Sequence, residues 1–74
     1  MDTNNVSAIL YMQIRLLDLA HDKWQKSEND CKRIFTDYHI YDYIANSFEF
    51  FQTQSDDENI KDIASYINKK SQPL

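Results

Sequence analysis

Seventy-four residues carry twelve acids against eight bases, a net charge of −4, with one cysteine, one proline and no glycine. That composition excludes an internal disulfide, and it excludes the phosphate-cradling loops of ATP, GTP and dinucleotide sites, which need glycine where backbone closes on phosphate. It also argues against sandwiches and barrels, whose tight turns call on glycine.

The first predicted element is a helix. Val6, Ile9, Leu10, Leu16, Leu17, Ala20 and Trp24 keep helical spacing, and Met12 and Leu19 widen the stripe, as in a central helix covered on more than one side. Ser27 followed by Asp30 reads as a capping box that opens a second helix. Its apolar face is Cys31, Ile34, Phe35 and Tyr38, which places Cys31 in the core as a small hydrophobe. A break near His39 precedes a third stripe of Ile40, Tyr43, Ile44, Ser47, Phe48 and Phe51. Ser55 and Glu58 form another capping box. Asp56, Asp57 and Glu58 then occupy the first turn of a fourth helix, where the helix dipole favours negative charge. Ile60, Ile63, Ala64 and Ile67 supply its buried face, and Lys69 and Lys70 suit its far end.

The expected architecture is all-α: a small bundle of four short helices, packed antiparallel or nearly so, in one domain over residues 5–70 with loose tails at 1–4 and 71–74. A chain of this size buries only about 60% of the surface its unfolded form exposes, so a second copy or a partner protein is expected to add to its core. The longest apolar run, Ala8 to Met12, is far short of the roughly 20 residues of a membrane span. Met1 to Ser7 has no basic residue, unlike a secretory leader. With a lone thiol, these features predict a soluble, cytoplasmic protein without membrane contact.

Charge is uneven along the chain. Residues 1–40 hold six acids against five bases, and residues 41–74 hold six against three. Such acidity disfavours nucleic acid as a partner and suits a basic protein surface. A helix-turn-helix using Lys32 and Arg33 is the alternative: a self-associating helical regulator that binds DNA through residues 28–38.

No catalytic constellation emerges. The acids at 56–58, with Asp62, are accounted for by capping and solvation, and an EF-hand is excluded by its missing glycine and ligand spacing. His21 and His39 fall on different elements, so neither a metal pair nor a dyad with Cys31 is expected. The reading is of a non-enzyme without cofactor or metal. Aromatics are in excess: Tyr38, Tyr41, Tyr43, Phe48, Phe50 and Phe51 all fall between residues 38 and 51. One helix face cannot bury them all. Tyr41 and Phe50 lie off the stripe, as anchors of a protein interface or as covers at the edge of a small core.

The segment "DYHIYDYIANSFEFFQTQSDDENIKDIASYI" resembles a small bacterial family known as a domain of unknown function, number three-seven-nine-one. The similar features are an aromatic and short turn before "YDYI" (Tyr41 to Ile44), "TQ" (Thr53, Gln54) closing the third helix, and "DI..YI" (Asp62, Ile63, Tyr66, Ile67) in the last. Gln52 and Ser55 stand where the family has histidine and glycine beside the "TQ" pair, a departure that favours a structural role there. The resemblance implies a compact helical protein encoded beside an ADP-ribosyltransferase-like protein, as in toxin and antitoxin pairs. Small size, acidity and surplus aromatics agree with a partner that neutralises such a toxin. The contact residues expected on that reading are Tyr41, Phe50, Asp56, Asp57 and Glu58, the acids imitating phosphates of the toxin's substrate or cofactor.

Overall fold

The computed structural model describes residues 3–71, which fold as α1 (Thr3–Trp24), α2 (Glu28–Asp37), α3 (Ile40–Asn46), α4 (Phe48–Phe51) and α5 (Asp56–Ser71). The all-α bundle is as expected, with one refinement. The third stripe is interrupted at Ser47, whose N–H is shared between the carbonyls of Tyr43 and Ile44 at 3.0 and 3.2 Å. Ser47 sits at φ −100° and ψ 9°, outside helical geometry, and a four-residue α4 resumes beyond it. Ile40, Ile44, Phe48 and Phe51 nevertheless stay on one buried face across the break. Helix also reaches past the expected tails, into Thr3, Asn4 and Ser71. The remaining tail positions, 1–2 and 72–74, lie outside the described residues.

Both predicted serine caps form. Ser27 Oγ accepts from the Asp30 N–H at 3.1 Å, and Ser55 Oγ from the Glu58 N–H at 3.2 Å. The carboxylates of the two boxes turn outward, Asp30 to Arg33 at 3.5 Å and Glu58 to Lys61 at 3.6 Å. Two turns adopt left-handed backbone without glycine: Gln25 at φ 56°, directly after α1, and His39 at φ 55°, directly before α3. This conformation crowds Cβ against the following carbonyl, at roughly 1–2 kcal/mol for a residue other than glycine. Both turns carry compensating bonds. Gln25 Nε2 donates to the Asp22 carbonyl at 3.0 Å, and the His39 N–H reaches the Thr36 carbonyl at 3.2 Å.

α1 packs against α2, α3 and α5, so it is central, but it is covered on one broad side only. Met12, Leu16 and Ala20 are its buried line, joined by Cys31 and Phe35 of α2, Ile40 and Ile44 of α3, Phe48 and Phe51 of α4, and Ile60 and Ile63 of α5. The expectation that Val6 and Leu10 share this core is corrected: they are 57% and 56% exposed. Among the described residues, neighbouring helices reach only the face centred on Leu16, and none lies over the opposite flank. Fully burying a side chain such as Phe35 contributes about 1.5–3 kcal/mol, and its ring is flanked by Trp24 at 6.2 Å and Tyr41 at 5.4 Å.

Among the described residues the one buried polar side chain is Asn59, at 0% exposure. Its Nδ2 donates to the Phe51 carbonyl at 3.0 Å, and its Oδ1 accepts from Gln54 Nε2 at 2.8 Å. Gln54 Nε2 also reaches Asp62 Oδ2 at 3.0 Å. This clasp ties the end of α4 to the second turn of α5.

Asn59→Leu, close in volume, removes one of the two bonds to the Phe51 carbonyl, which keeps the Gln54 N–H at 3.2 Å, and is expected to destabilise the fold by about 0.5–1.5 kcal/mol in urea titration. His39→Gly relieves the left-handed turn and is expected to raise the unfolding free energy from urea titration by about 0.5–1 kcal/mol after the added freedom of the unfolded chain.

Candidate functional site

Tyr11, Arg15, Asp18 and Asp22 recur at positions i, i+4, i+7 and i+11 of α1, so they lie along one line of its surface. The start of α5 faces that line. Arg15 closes a two-pronged fork on Asp56, Nε to Oδ2 and Nη2 to Oδ1, each at 2.9 Å. About two turns further along α1, Lys23 approaches Asp57 at 3.4 Å. Between the helices lies an open groove of about 460 Å³ lined by Arg15, Asp18, Leu19, Asp22, Ser55, Asp56 and Asp57. Four aspartates line it against the single guanidinium, with Lys23 at the edge, so the groove is negative overall.

The Arg15 fork holds the Asp56 carboxyl below the ordinary carboxylate range, and the same bond pushes Arg15 up. A carboxylate so held is no general acid at neutral pH. What the groove offers is fixed negative charge at a helix N-terminus, with an exposed aromatic close by: Tyr11 is 63% exposed and Arg15 sits over its ring at 5.1 Å.

The contact residues expected from sequence divide. Asp56 and Asp57 line the groove, and Glu58 is exposed beside them, paired with Lys61 at 3.6 Å. Phe50 is 58% exposed on α4, with its ring 6.2 Å from Phe51. Tyr41 is half-buried, edge-on to Phe35 at 67°, and its carbonyl accepts from Gln13 Nε2 at 2.9 Å. It covers the core edge and does not stand free as an anchor. Tyr11, Asp18 and Asp22 were missed by reasoning from sequence. Their spacing with Arg15 along one helix was visible, but nothing along the chain shows that α5 docks opposite them.

The other candidates are placed plainly. Cys31 is fully buried, and burial, assisted by Asp30, pushes its thiol up, away from the nucleophilic thiolate. His21 is exposed, its Nδ1 bonded to the Lys26 carbonyl across the α1–α2 turn. Lys32 and Arg33 are exposed on α2, with Arg33 paired to Asp30. Among the described residues no group of three or more His, Cys, Asp and Glu is placed to hold a metal ion, and no helix is long and apolar enough to cross a membrane.

A family model described as "Protein of unknown function (DUF3791)" matches residues 11–70. Among curated proteins and solved structures nothing matches. The residues that carry the resemblance serve the packing of α3, α4 and α5. Thr53 Oγ1 donates to the Phe50 carbonyl at 2.6 Å, and Gln54 bonds Asn59 and Asp62 in the clasp. Tyr43 stacks on Tyr66 at 4.1 Å and meets Phe51 edge-on at 5.7 Å, while Ile44 and Ile63 are fully buried. Ser55, where the resemblance has glycine, supplies the α5 cap. These residues hold the packing of α3, α4 and α5, and the family match also spans the acidic line of α1 from Tyr11 to Asp22.

Arg15 and Asp56 are each a little over a third exposed, so solvent screens their attraction. A double-mutant cycle with Arg15→Ala and Asp56→Ala is expected to give a coupling of about 0.5–1 kcal/mol at low salt, shrinking as salt rises. Because the folded Asp56 pKa is lowered, this contribution is complete above the unfolded value near 3.9 and is lost as pH falls through the folded value. Acid titration of the wild type and Asp56→Asn checks the sign.

Proposed function

We propose that this chain, which belongs to the DUF3791 family of proteins of unknown function, works by protein contact, presenting the acidic α1–α5 groove to a basic surface of a partner. The observation that carries the reading is the convergence of Asp18 and Asp22 from α1 with Asp56 and Asp57 from α5, against Arg15 and Lys23 alone. Two of these aspartates, Asp18 and Asp22, have no salt-bridge partner within 4 Å among the described residues. A cationic side chain entering the groove would meet them first. Fixed charge of this kind steers encounter and sets register more than it adds raw affinity. Tyr11, exposed at the end of the same line, has the amphipathic ring that anchors interfaces well, and Glu58 extends the negative rim.

The partner class follows from the gene context implied by the family resemblance: an ADP-ribosyltransferase-type toxin, which this protein neutralises as an antitoxin or immunity-like factor. Such enzymes bind an anionic dinucleotide, so their clefts are basic, and an acidic groove is complementary to them in sign. Phe50 lies on α4, outside the groove, and Tyr41 on the core edge; neither is assigned to this contact.

The test is affinity purification of the tagged protein from its native cells, followed by titration of the recovered partner's NAD-dependent transfer activity. A transferase-type protein in stoichiometric amount, inhibited by the wild type, is expected. Asp18→Lys combined with Asp22→Lys should weaken inhibition at least about tenfold and reduce its salt dependence, with thermal unfolding nearly unchanged because neither aspartate has a salt-bridge partner among the described residues. Recovery of the chain without such a partner, or inhibition indifferent to the charge reversal, overturns the proposal.

A further inference from the structure

α1 carries a second apolar line that the fold leaves open. Val6, Leu10 and Ile14 recur every four residues and are 57%, 56% and 52% exposed, and half-buried Leu17 continues them. The line runs along a different flank of α1 from the buried Met12, Leu16 and Ala20 and from the acidic line of Arg15, Asp18 and Asp22. From Asn5 to Ile14 the helix has no charged residue. An uncharged, apolar helix flank of this length is the kind of surface another helix covers.

We propose that a second copy of this chain covers it, the two α1 helices packing antiparallel about a two-fold axis near Met12. The spacing is self-complementary. Positions 6 and 17 lie about equally far on either side of the axis, as do 10 and 14, so Val6 meets Leu17 of the second copy and Leu10 meets Ile14. An isologous contact requires that kind of pairing, because each residue must suit both its own position and the mirrored one. Rows of residues four and three apart also fit the shallow crossing of paired helices, near 20°.

Charge selects the second copy over the basic partner proposed above. Each chain has a net charge of −4, and contact through the groove would oppose carboxylates with carboxylates. The flank from Val6 to Ile14 lets two acidic molecules meet without burying or opposing a charge, and it offers a cationic partner no counter-ion. Asp18 and His21 lie only at the far end of the contact, near its solvated rim. The overlap from Val6 to Leu17 is twelve residues, about 18 Å of helix, against the roughly 20–30 residues a side of a standard interface. The dimer is therefore weak and exchanging, with a dissociation constant on the order of micromolar to tens of micromolar. It leaves both acidic grooves free, so self-association stands whether or not a basic partner binds there.

Analytical ultracentrifugation of the purified full chain, from roughly 1 to 500 µM, reads this directly. The expected result is a shift from the 8.9 kDa monomer toward twice that mass as concentration rises. Leu10→Glu or Ile14→Glu should raise the dissociation constant at least tenfold with unchanged circular dichroism, since these side chains are solvent-facing in the monomer. Leu10→Gln, a milder change of similar size, should weaken the dimer as well and stands in if a glutamate variant unfolds. Asp57→Lys, in the groove, should leave it intact. A monomer across the whole range, or a dimer indifferent to these α1 substitutions, overturns the proposal. Because no partner is present, either result is independent of the neutralisation reading.

Discussion

The position of α5 depends on one buried polar contact, the bond from Asn59 to the Phe51 carbonyl. The Asn59 amide is fully buried, and leaving it unpaired in another register would cost about 1–3 kcal/mol, so the clasp favours the observed one. Gln54 completes it by spanning Asn59 and Asp62, and the turn between α4 and α5 is held at both ends. With the turn so held, Ser55 caps α5 at a defined point and the first residue of the helix, Asp56, arrives opposite Arg15. The groove is a consequence of that placement. Its charges are surface charges, but the helix that presents two of them is set by a buried amide.

The lack of glycine shapes the same structure from another side. Chain reversals after α1 and before α3 are made by Gln25 and His39 in left-handed backbone, each a strained choice for a side chain with a Cβ. The third helix is not straight, and its break at Ser47 lets Phe48 and Phe51 continue the buried face of Ile40 and Ile44 while Phe50 points outward. The core is small, eleven buried apolar side chains among the described residues, and is lined by aromatic pairs at its edges. Tyr41 and Tyr43 spend their rings on those pairs. The aromatic surplus is thus largely a means of closing a small core with few residues.

Two surfaces of α1 are left open by the packing, and they differ in kind. One is acidic and discriminating by sign, and the other is apolar and uncharged. A helix whose third side is buried has room for both, because 3.6 residues per turn distribute the three lines around its circumference.

Local patterns along the chain are enough for the fold class, the caps at Ser27 and Ser55, the turn at His39, the burial of Cys31 and the core faces of α2, α3 and α5. These are local matters of hydrogen-bond demand, backbone sterics and apolar periodicity, each readable within a few residues. The capping rule alone also places Asp56 and Asp57 at a helix start. The tertiary structure decided which flank of α1 is covered, and so why Val6 and Leu10 are exposed although their spacing matches that of the core. It decided that Tyr41 closes the core edge while Phe50 does not, and that Asp18 and Asp22 share a groove with α5. The physical reason is that helical periodicity records which residues share a face of one helix. Which face a neighbour covers depends on contacts between distant segments, such as Arg15 with Asp56 and Gln13 with Tyr41, that no local pattern contains.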